Sequence, residues 1–203
     1  MLFLVHRDTT VDTVSTKLLS QVNNLYLSPS GTLSPFSGLH CASLFRIVEV
    51  VAGLIEMEYY NINLVDSAGN VPFTLAARNG YEGVVRKLLE REEVIPDKPD
   101  KYNLTPLSHA ARRGHEGVVK ILLEREEVNP DNYGRTPLSH AAQNGRDGVV
   151  KIQLGREDVN PDKPENRDRT SLLYATKYAS LGVADYKFKG VAALLQSHEA
   201  VKP

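Results

Sequence analysis

Residues 104–123 read Leu-Thr-Pro-Leu-Ser-His-Ala-Ala-Arg-Arg-Gly-His-Glu-Gly-Val-Val-Lys-Ile-Leu-Leu, and this stretch decides the fold of the 203-residue chain. It recurs almost unchanged over residues 135–154 and again over 70–89, with more diverged copies over 37–55 and 170–195. Aligned on the position of Pro106, successive copies lie 34, 34, 31 and 34 residues apart. A repeated period of this length is typical of architectures in which each unit stacks on the next.

Each part of the unit has a physical role. A threonine such as Thr105 can accept a hydrogen bond from a free amide at a helix start, and Pro106 suits the first helical position. Ala110 and Ala111 keep this first helix thin, and Gly114 can end it in the left-handed conformation. The apolar residues of 118–123 then predict a second helix with one apolar face. The polar fingers between units need residues that tolerate positive φ, and we expect these to be Gly69, Asn103, Gly134 and Asp168.

The Thr-Pro-Leu-x-x-Ala-Ala-x-x-Gly core, followed by Val-Val-x-x-Leu-Leu, resembles the ankyrin repeat over about residues 34–198. The Asn-Pro-Asp fingers and the Pro-Leu-Ser-His-Ala-Ala segments are most similar to filamentous-fungal ankyrin arrays. The resemblance implies an all-α solenoid of helix–turn–helix repeats with β-hairpin fingers. It also implies a concave surface of fingers and first helices, with protein recognition as the usual task. Within a repeat domain of residues 34–203 we expect about five units, over residues 35–68, 69–102, 103–133, 134–167 and 168–200.

Several positions depart from the repeat. Val71 replaces the capping threonine, and Arg46 and Ala179 stand where a glycine ends the first helix. Gln153 occupies an apolar stacking position. In the last unit we expect about eight extra residues, near 180–188, to separate the two helices.

Residues 1–33 precede the repeats. Apolar residues within 11–22 recur at a helical spacing, and residues 23–35 are a Ser/Pro/Gly-rich connector. We expect a helix that covers the first repeat. As an alternative, the segment resembles the stretch that leads into the ankyrin array of fungal NACHT-type ATPases, and the chain would then be a sensor domain or a remnant of one. The sequence has no Gly-x-x-x-x-Gly-Lys-Ser/Thr loop, so we expect no nucleotide chemistry here.

Composition excludes several classes of protein. The net charge is −1, so no overall attraction to nucleic acid or to a membrane is expected. No apolar run approaches the roughly 20 residues that span a bilayer, and the apolar start is too short for a signal peptide. Cys41 is the only cysteine, which excludes an internal disulfide. We expect a cytoplasmic, or alternatively nuclear, monomer whose partner is another protein of unknown identity rather than nucleic acid.

No catalytic motif is present, and we expect neither enzyme activity nor a cofactor or metal. His109 and His140 occupy the same place in adjacent units, but units about 10 Å apart are too far apart to share one zinc ion. We therefore expect structural roles for these histidines. The glutamate-rich runs at 90–93 and 124–127 follow second helices, where mixed charge is normally a solvated face.

The ankyrin resemblance implies that partners are read by variable finger residues and by the two positions before the first-helix glycine. Of twenty such positions eight are basic and none is acidic, although acids slightly outnumber bases in the whole chain. We therefore expect a basic concave face that binds an acidic protein segment. The residues expected to contact the partner are Arg78, Asn79, Lys101, Tyr102, Arg112, Arg113, Asn132, Tyr133, Arg135, Gln143, Asn144, Arg169 and Lys177.

Overall fold

The structure, a computed structural model, describes residues 37–57, 60–125, 135–164, 169–180 and 185–199. At the helix ends 178–180, 185–187 and 199 only the backbone is described. The predicted N-terminal segment, residues 1–33, lies outside the described residues, as do Asn132 and Tyr133. The limits of the five units stay predictions.

The described part of the chain contains ten α-helices in two layers. The first layer holds α1 (Gly38–Leu44), α3 (Pro72–Asn79), α5 (Pro106–Arg113), α7 (Pro137–Gln143) and α9 (Ser171–Ser180). The second layer holds α2 (Val48–Ile55), α4 (Glu82–Leu88), α6 (Glu116–Leu123), α8 (Asp147–Leu154) and α10 (Asp185–Glu199). Each helix packs on its partner in the pair and on the equivalent helices of neighbouring pairs. This arrangement is the all-α repeat solenoid that the sequence predicted.

Threonine and proline begin the first-layer helices as predicted. The hydroxyls of Thr105 and Thr136 accept hydrogen bonds from the backbone N–H groups of Ser108 (3.2 Å) and Ser139 (3.1 Å). Each bond satisfies an amide that a helix start otherwise leaves without a partner. Val71 begins α3 with the same extended backbone but has no hydroxyl, so α3 lacks this hydrogen bond.

Glycines in the left-handed conformation close these helices, which confirms another prediction. Gly80 and Gly114 cap α3 and α5 with φ values of +75° and +84°. Gly145 follows the last helical turn of α7 with a φ of +62°. Arg46 stands at the equivalent place after α1 and also has a φ of +62°. Because a Cβ disfavours this conformation, the geometry of the repeat overrides the residue's own preference.

The apolar positions of the repeat form one continuous core. Ala110 and Ala111 of α5, and Val118, Val119 and Leu122 of α6, have no exposed surface (0%). The small alanine side chains let neighbouring first-layer helices pack closely. Each helix pair thus buries its apolar face by stacking on its neighbours, as repeat proteins do.

The described fingers are tight turns organised by an aspartate, which corrects the prediction of β-hairpins. The Asp100 Oδ1 atom accepts hydrogen bonds from two backbone N–H groups of its finger, at 2.8 and 3.0 Å. Asp66 makes the same pair of bonds in the preceding finger. Gly69 and Asn103 have φ values of +82° and +58°, as predicted. These fingers contain no strand in the described residues, because the aspartate side chain takes amides that a ladder would use.

The described part of the extra residues in the last pair, at 180 and 185–188, belongs to the two helices, which corrects a prediction. We expected about eight residues near 180–188 to separate the two helices. Instead α9 reaches Ser180 and α10 begins at Asp185. Ala179 stands where Gly80, Gly114 and Gly145 follow α3, α5 and α7, and α9 continues past this point without a glycine.

Arginines that follow the second-layer helices tie each pair to the preceding one. Arg91 donates a hydrogen bond to the carbonyl at the C-terminal end of α2, and Arg156 donates to the Leu123 carbonyl of α6 (2.8 Å). Glu93 and Asp158 form ion pairs with these two guanidinium groups, at 2.8 Å each. The charged segments after second helices were predicted only as solvated faces, so this structural role was missed.

Val71→Thr should stabilise the protein. Thr74 Oγ1 is buried without a hydrogen-bond partner among the described residues, whereas the equivalent Ser108 Oγ accepts from the Thr105 hydroxyl at 3.0 Å. A threonine at position 71 would cap α3 and bond Thr74. We expect these gains to exceed the loss of one buried methyl group by about 1 kcal/mol. In thermal unfolding this corresponds to a Tm increase of about 2–4 °C. The matched change Thr105→Val should lower Tm, and a lower Tm for Val71→Thr would contradict the argument.

Gln153→Leu should also be stabilising. Gln153 is only 2% exposed in α8, and its Nε2 atom has no hydrogen-bond partner in the part of the chain that is described. The equivalent Leu88 and Leu122 are fully buried. A buried unpaired amide costs about 1–3 kcal/mol, so the free energy of unfolding should rise by about 1 kcal/mol or more. Urea titration of Gln153→Leu and of the reverse change, Leu122→Gln, measures this. An unchanged midpoint for Gln153→Leu would show that the glutamine is usefully bonded.

Candidate functional site

One open groove, with a volume of about 1090 Å³, lies across the fingers and the first-layer helices. Of the residues predicted to contact a partner, the groove is lined by Arg78, Tyr102, Arg112, Arg113, Arg135, Gln143 and Asn144. We call it the arginine groove. The predicted residues outside its lining are Asn79, Lys101, Arg169 and Lys177. That any of these residues contacts a partner stays a prediction.

The arginines reach the groove because they lie where the first-layer helices end. Arg78 lies in the last turn of α3, and Arg112 and Arg113 lie in the last turn of α5. Arg112 and Arg113 are exposed, as expected for long cationic side chains beside a helix-ending glycine. In the two neighbouring units, Asn79 and Asn144 occupy the position that Arg113 has in its own unit. Their Nδ2 atoms donate to carbonyls four residues earlier in their own helices, at 2.8 Å each.

Bonds between units hold the base of the groove. His115 Nε2 donates to the Arg78 carbonyl (3.0 Å), and Arg146 Nε donates to the Arg112 carbonyl (3.1 Å). A Cβ on Gly80 would lie 2.5 Å from His115 Nδ1. The glycine is therefore required for this close approach as well as for its positive φ.

Four arginines of the groove have no carboxylate partner among the residues that the structure describes. Among the described residues no Asp or Glu oxygen lies within 4.0 Å of Arg78, Arg112, Arg113 or Arg146. In contrast, Arg91 and Arg156, which follow second-layer helices, form ion pairs with Glu93 and Asp158. The groove thus concentrates positive charge in a chain whose net charge is −1.

The pKa values of the groove residues report this charge. The pKa of Arg113 is below its ordinary value because the side chain is partly buried and lies near Arg78 and Arg112. Burial lowers the pKa of His140 to about 4, with Arg135 and Arg112 contributing. Both shifts come first from burial, which disfavours the charged form, and the neighbouring cations act in the same direction.

The one acid that lines the groove is held in its finger. Asp100 is buried, and besides its two backbone amides its Oδ2 atom accepts a hydrogen bond from His109 Nε2 (2.8 Å). His40 has a comparable structural bond, since its Nε2 donates to the Asn70 carbonyl (3.1 Å). Within the described stretches no three His, Cys, Asp or Glu side chains come together as a metal site would require.

Tyr102 is an exposed aromatic residue at the edge of the groove. Its side chain is 69% exposed, and the Lys101 Nζ atom lies 5.1 Å from its ring centroid. An exposed tyrosine beside a groove is a suitable anchor for a partner chain.

Some groove residues were not predicted as partner contacts. Arg146 and Phe188 line the groove but were not singled out, and His109 and His140 were assigned structural roles only. A signal for Arg146 was available, because it follows its helix-ending glycine in the same register as His115. Phe188 comes from the extra residues of the last unit, which no other repeat resembles.

The stacked helix pairs define a helical repeat solenoid with a polar groove on its first layer. Residues 73–164 match the family model described as ankyrin repeats, three copies, so this stretch is similar to ankyrin repeats. Ankyrin repeats are generally protein–protein interaction modules and are typically non-enzymatic. No curated protein matches the chain. In the described residues, no helix has the length and apolar character needed to cross a membrane.

Protonation of His140 should destabilise the fold at acid pH. Its folded pKa of about 4 lies below the ordinary histidine value of 6.5, so the unfolded chain binds the proton more tightly. The contribution of neutral His140 to the free energy of unfolding is therefore fully present above about pH 6.5. It is lost as the pH drops toward 4, by about 3 kcal/mol for a shift of this size. Urea unfolding across this pH range should show a shallower pH slope in His140→Gln than in wild type. Identical slopes would contradict the assignment to His140.

Proposed function

We propose that this chain is a non-enzymatic protein–protein interaction module that binds an acidic segment of another protein in the arginine groove. The observation that carries the proposal is the set of arginines that line one groove without a carboxylate partner in the described residues: Arg78, Arg112, Arg113 and Arg146. A surface of this kind attracts acidic partners and disfavours basic ones.

The size of the groove favours a peptide segment. Its volume of about 1090 Å³ exceeds the range of about 300–1,000 Å³ common for small-molecule sites, and it is open to solvent. It extends from Arg78 to Asn144, across three successive helix pairs. With about 10 Å between neighbouring helices and about 3.3 Å per residue of extended chain, a segment of about six to nine residues would span it.

The fold does not require arginine at these positions. Gln143 and Asn144 stand at the places of Arg112 and Arg113 in the next unit, before Gly145, which has a positive φ like Gly114. The arginine pair is therefore available for recognition. The NACHT-type sensor hypothesis rests on residues outside the described part and stays a prediction. The cytoplasmic or nuclear location and the monomeric state also stay predictions.

The double variant Arg112→Gln with Arg113→Asn tests the proposal, since it copies the neighbouring unit and should leave stability unchanged. The probe is a fluorescent pool of random peptides, about nine residues long, rich in Asp and Glu. Fluorescence anisotropy should show affinity for this pool falling about tenfold, since a charge-assisted hydrogen bond contributes about 1.5 kcal/mol or more. Wild-type affinity should also decrease with salt, because the screening length is about 10 Å at 0.1 M.

A second double variant, Lys120→Gln with Lys151→Gln, is the charge-matched control. It removes two exposed cations from α6 and α8 in the second layer and should leave affinity unchanged. If the control loses affinity and the arginine variant retains it, the binding face is wrong. If the wild-type chain binds the acidic pool no better than a neutral Ser/Gln pool, the proposed function is wrong.

A further inference from the structure

We propose that the partner's acidic group at the ends of α3 and α5 is a phosphorylated side chain, held by Arg78, Arg112 and Arg113. This inference rests on the proposed function and specifies the chemistry of its ligand. Three observations support it. The three guanidinium groups lie in one groove, the described residues place no carboxylate beside them, and a phosphate carries a charge close to the one needed to balance them.

The three arginines form one cluster of like charge. All three line the same groove. The shared groove brings three cationic side chains together, and in addition to burial the charges of Arg78 and Arg112 lower the pKa of Arg113. In the described part of the chain none of them has a carboxylate within 4.0 Å. Without a ligand the cluster keeps an unbalanced positive charge.

These arginines are not needed to complete the helix ends. The Arg78 carbonyl already accepts a hydrogen bond from His115, and the Arg112 carbonyl accepts one from Arg146. A cation near a helix C-terminus does contribute about 0.3–1 kcal/mol. Yet the same two repeat positions at the end of α7 hold the neutral residues Gln143 and Asn144, and a positive-φ glycine still follows them. The cluster is therefore better explained by an external anion than by helix stability.

A phosphate group balances this cluster better than a single carboxylate. A carboxylate carries one charge and two oxygens, so two of three arginines would remain uncompensated. A phosphorylated Ser, Thr or Tyr carries about −1.5 to −2 charges at pH 7 and offers three acceptor oxygens. Guanidinium groups bind such oxygens through paired, charge-assisted hydrogen bonds. Arg78 and the Arg112–Arg113 pair come from adjacent units, so they can approach one phosphate from two sides.

The nearest acid does not compete for the arginines. Asp100 is the one carboxylate residue in the described lining of the groove, and it is buried. Its oxygens accept bonds from His109 and from the amides of Tyr102 and Leu104. The groove beyond the cluster continues past Tyr102 toward Gln143, which leaves room for the peptide that carries the phosphate.

The test measures the binding of three peptide pools to the full chain. The pools have the same length and random flanking residues, and they differ in the central residues. One pool has a central phosphoserine, one has a central Glu-Glu pair of similar charge, and one has a central Ser. We expect the phosphoserine pool to bind at least about tenfold more tightly than the Glu-Glu pool, as two additional charge-assisted bonds imply. Arg113→Asn copies Asn79 and Asn144 of the two neighbouring units, and Arg78→Gln copies Gln143, two units further on. Each change should remove this preference. The control with Lys120→Gln and Lys151→Gln should keep it.

A pH titration separates phosphate from carboxylate recognition. The second pKa of a phosphate ester is about 6, so affinity for the phosphoserine pool should fall between about pH 7 and pH 5. Affinity for the Glu-Glu pool should not fall, because the reference pKa of Glu is about 4.3. Burial lowers the pKa values of His109, His115 and His140. Protonation of these histidines at lower pH would strengthen anion binding, so it would act against the expected fall in affinity and could not cause it.

Each outcome decides between the two proposals. Equal affinity for the phosphoserine and Glu-Glu pools would overturn the phosphate inference and leave the proposed function standing. A phosphoserine preference that survives both arginine changes would place the phosphate elsewhere and also overturn the inference. If inorganic phosphate binds as tightly as the phosphopeptide pool, the peptide contributes nothing to binding, and the inference that the ligand is a phosphorylated peptide is overturned. If no pool binds, the proposed function fails as well.

Discussion

The stack depends on the close approach between two helix-ending glycines, Gly80 and Gly114, and a side chain of the unit that follows each of them. At Gly80 and Gly114 the positive φ and the missing Cβ let His115 and Arg146 reach carbonyls of the preceding unit. Those carbonyls belong to the last turns of α3 and α5, from which the arginines of the groove extend. The contacts that set the spacing between units therefore also set the spacing between the charges of the groove.

Features that act within a few residues could be predicted from the sequence. The Thr105 cap and the Gly114 turn follow from chemistry inside one helix, and both were predicted correctly. The missing cap at Val71 and the buried amide of Gln153 could be identified because equivalent positions in other units hold threonine and leucine. The last unit departed most from its prediction, because no glycine ends α9 and the helix continues through Ala179.

Features that join residues of different units could not be predicted. Arg91 lies in a charged run that is typical of a solvated face, and only the stacked structure brings it to the end of α2. Arg146 lines the groove because its unit packs against α5. Its register after Gly145 matches that of His115, but this register alone does not show which residues it contacts. The fingers were also different from expectation, since the carboxylates of Asp66 and Asp100 organise turns in place of paired strands. For the candidate site, the repeat register indicated the surface, and the packing of the units determined which side chains share one groove.

The equivalence of Arg112–Arg113 and Gln143–Asn144 has an evolutionary consequence. The two pairs occupy the same structural position, and the segments 104–123 and 135–154 that carry them are almost identical. Unequal crossing-over between their coding sequences would duplicate, delete or reorder whole units while every junction remained compatible. Such an event changes the order of charged and neutral positions along the groove in a single step. The pattern of charge along the groove can therefore change by rearrangement of units as well as by point substitution.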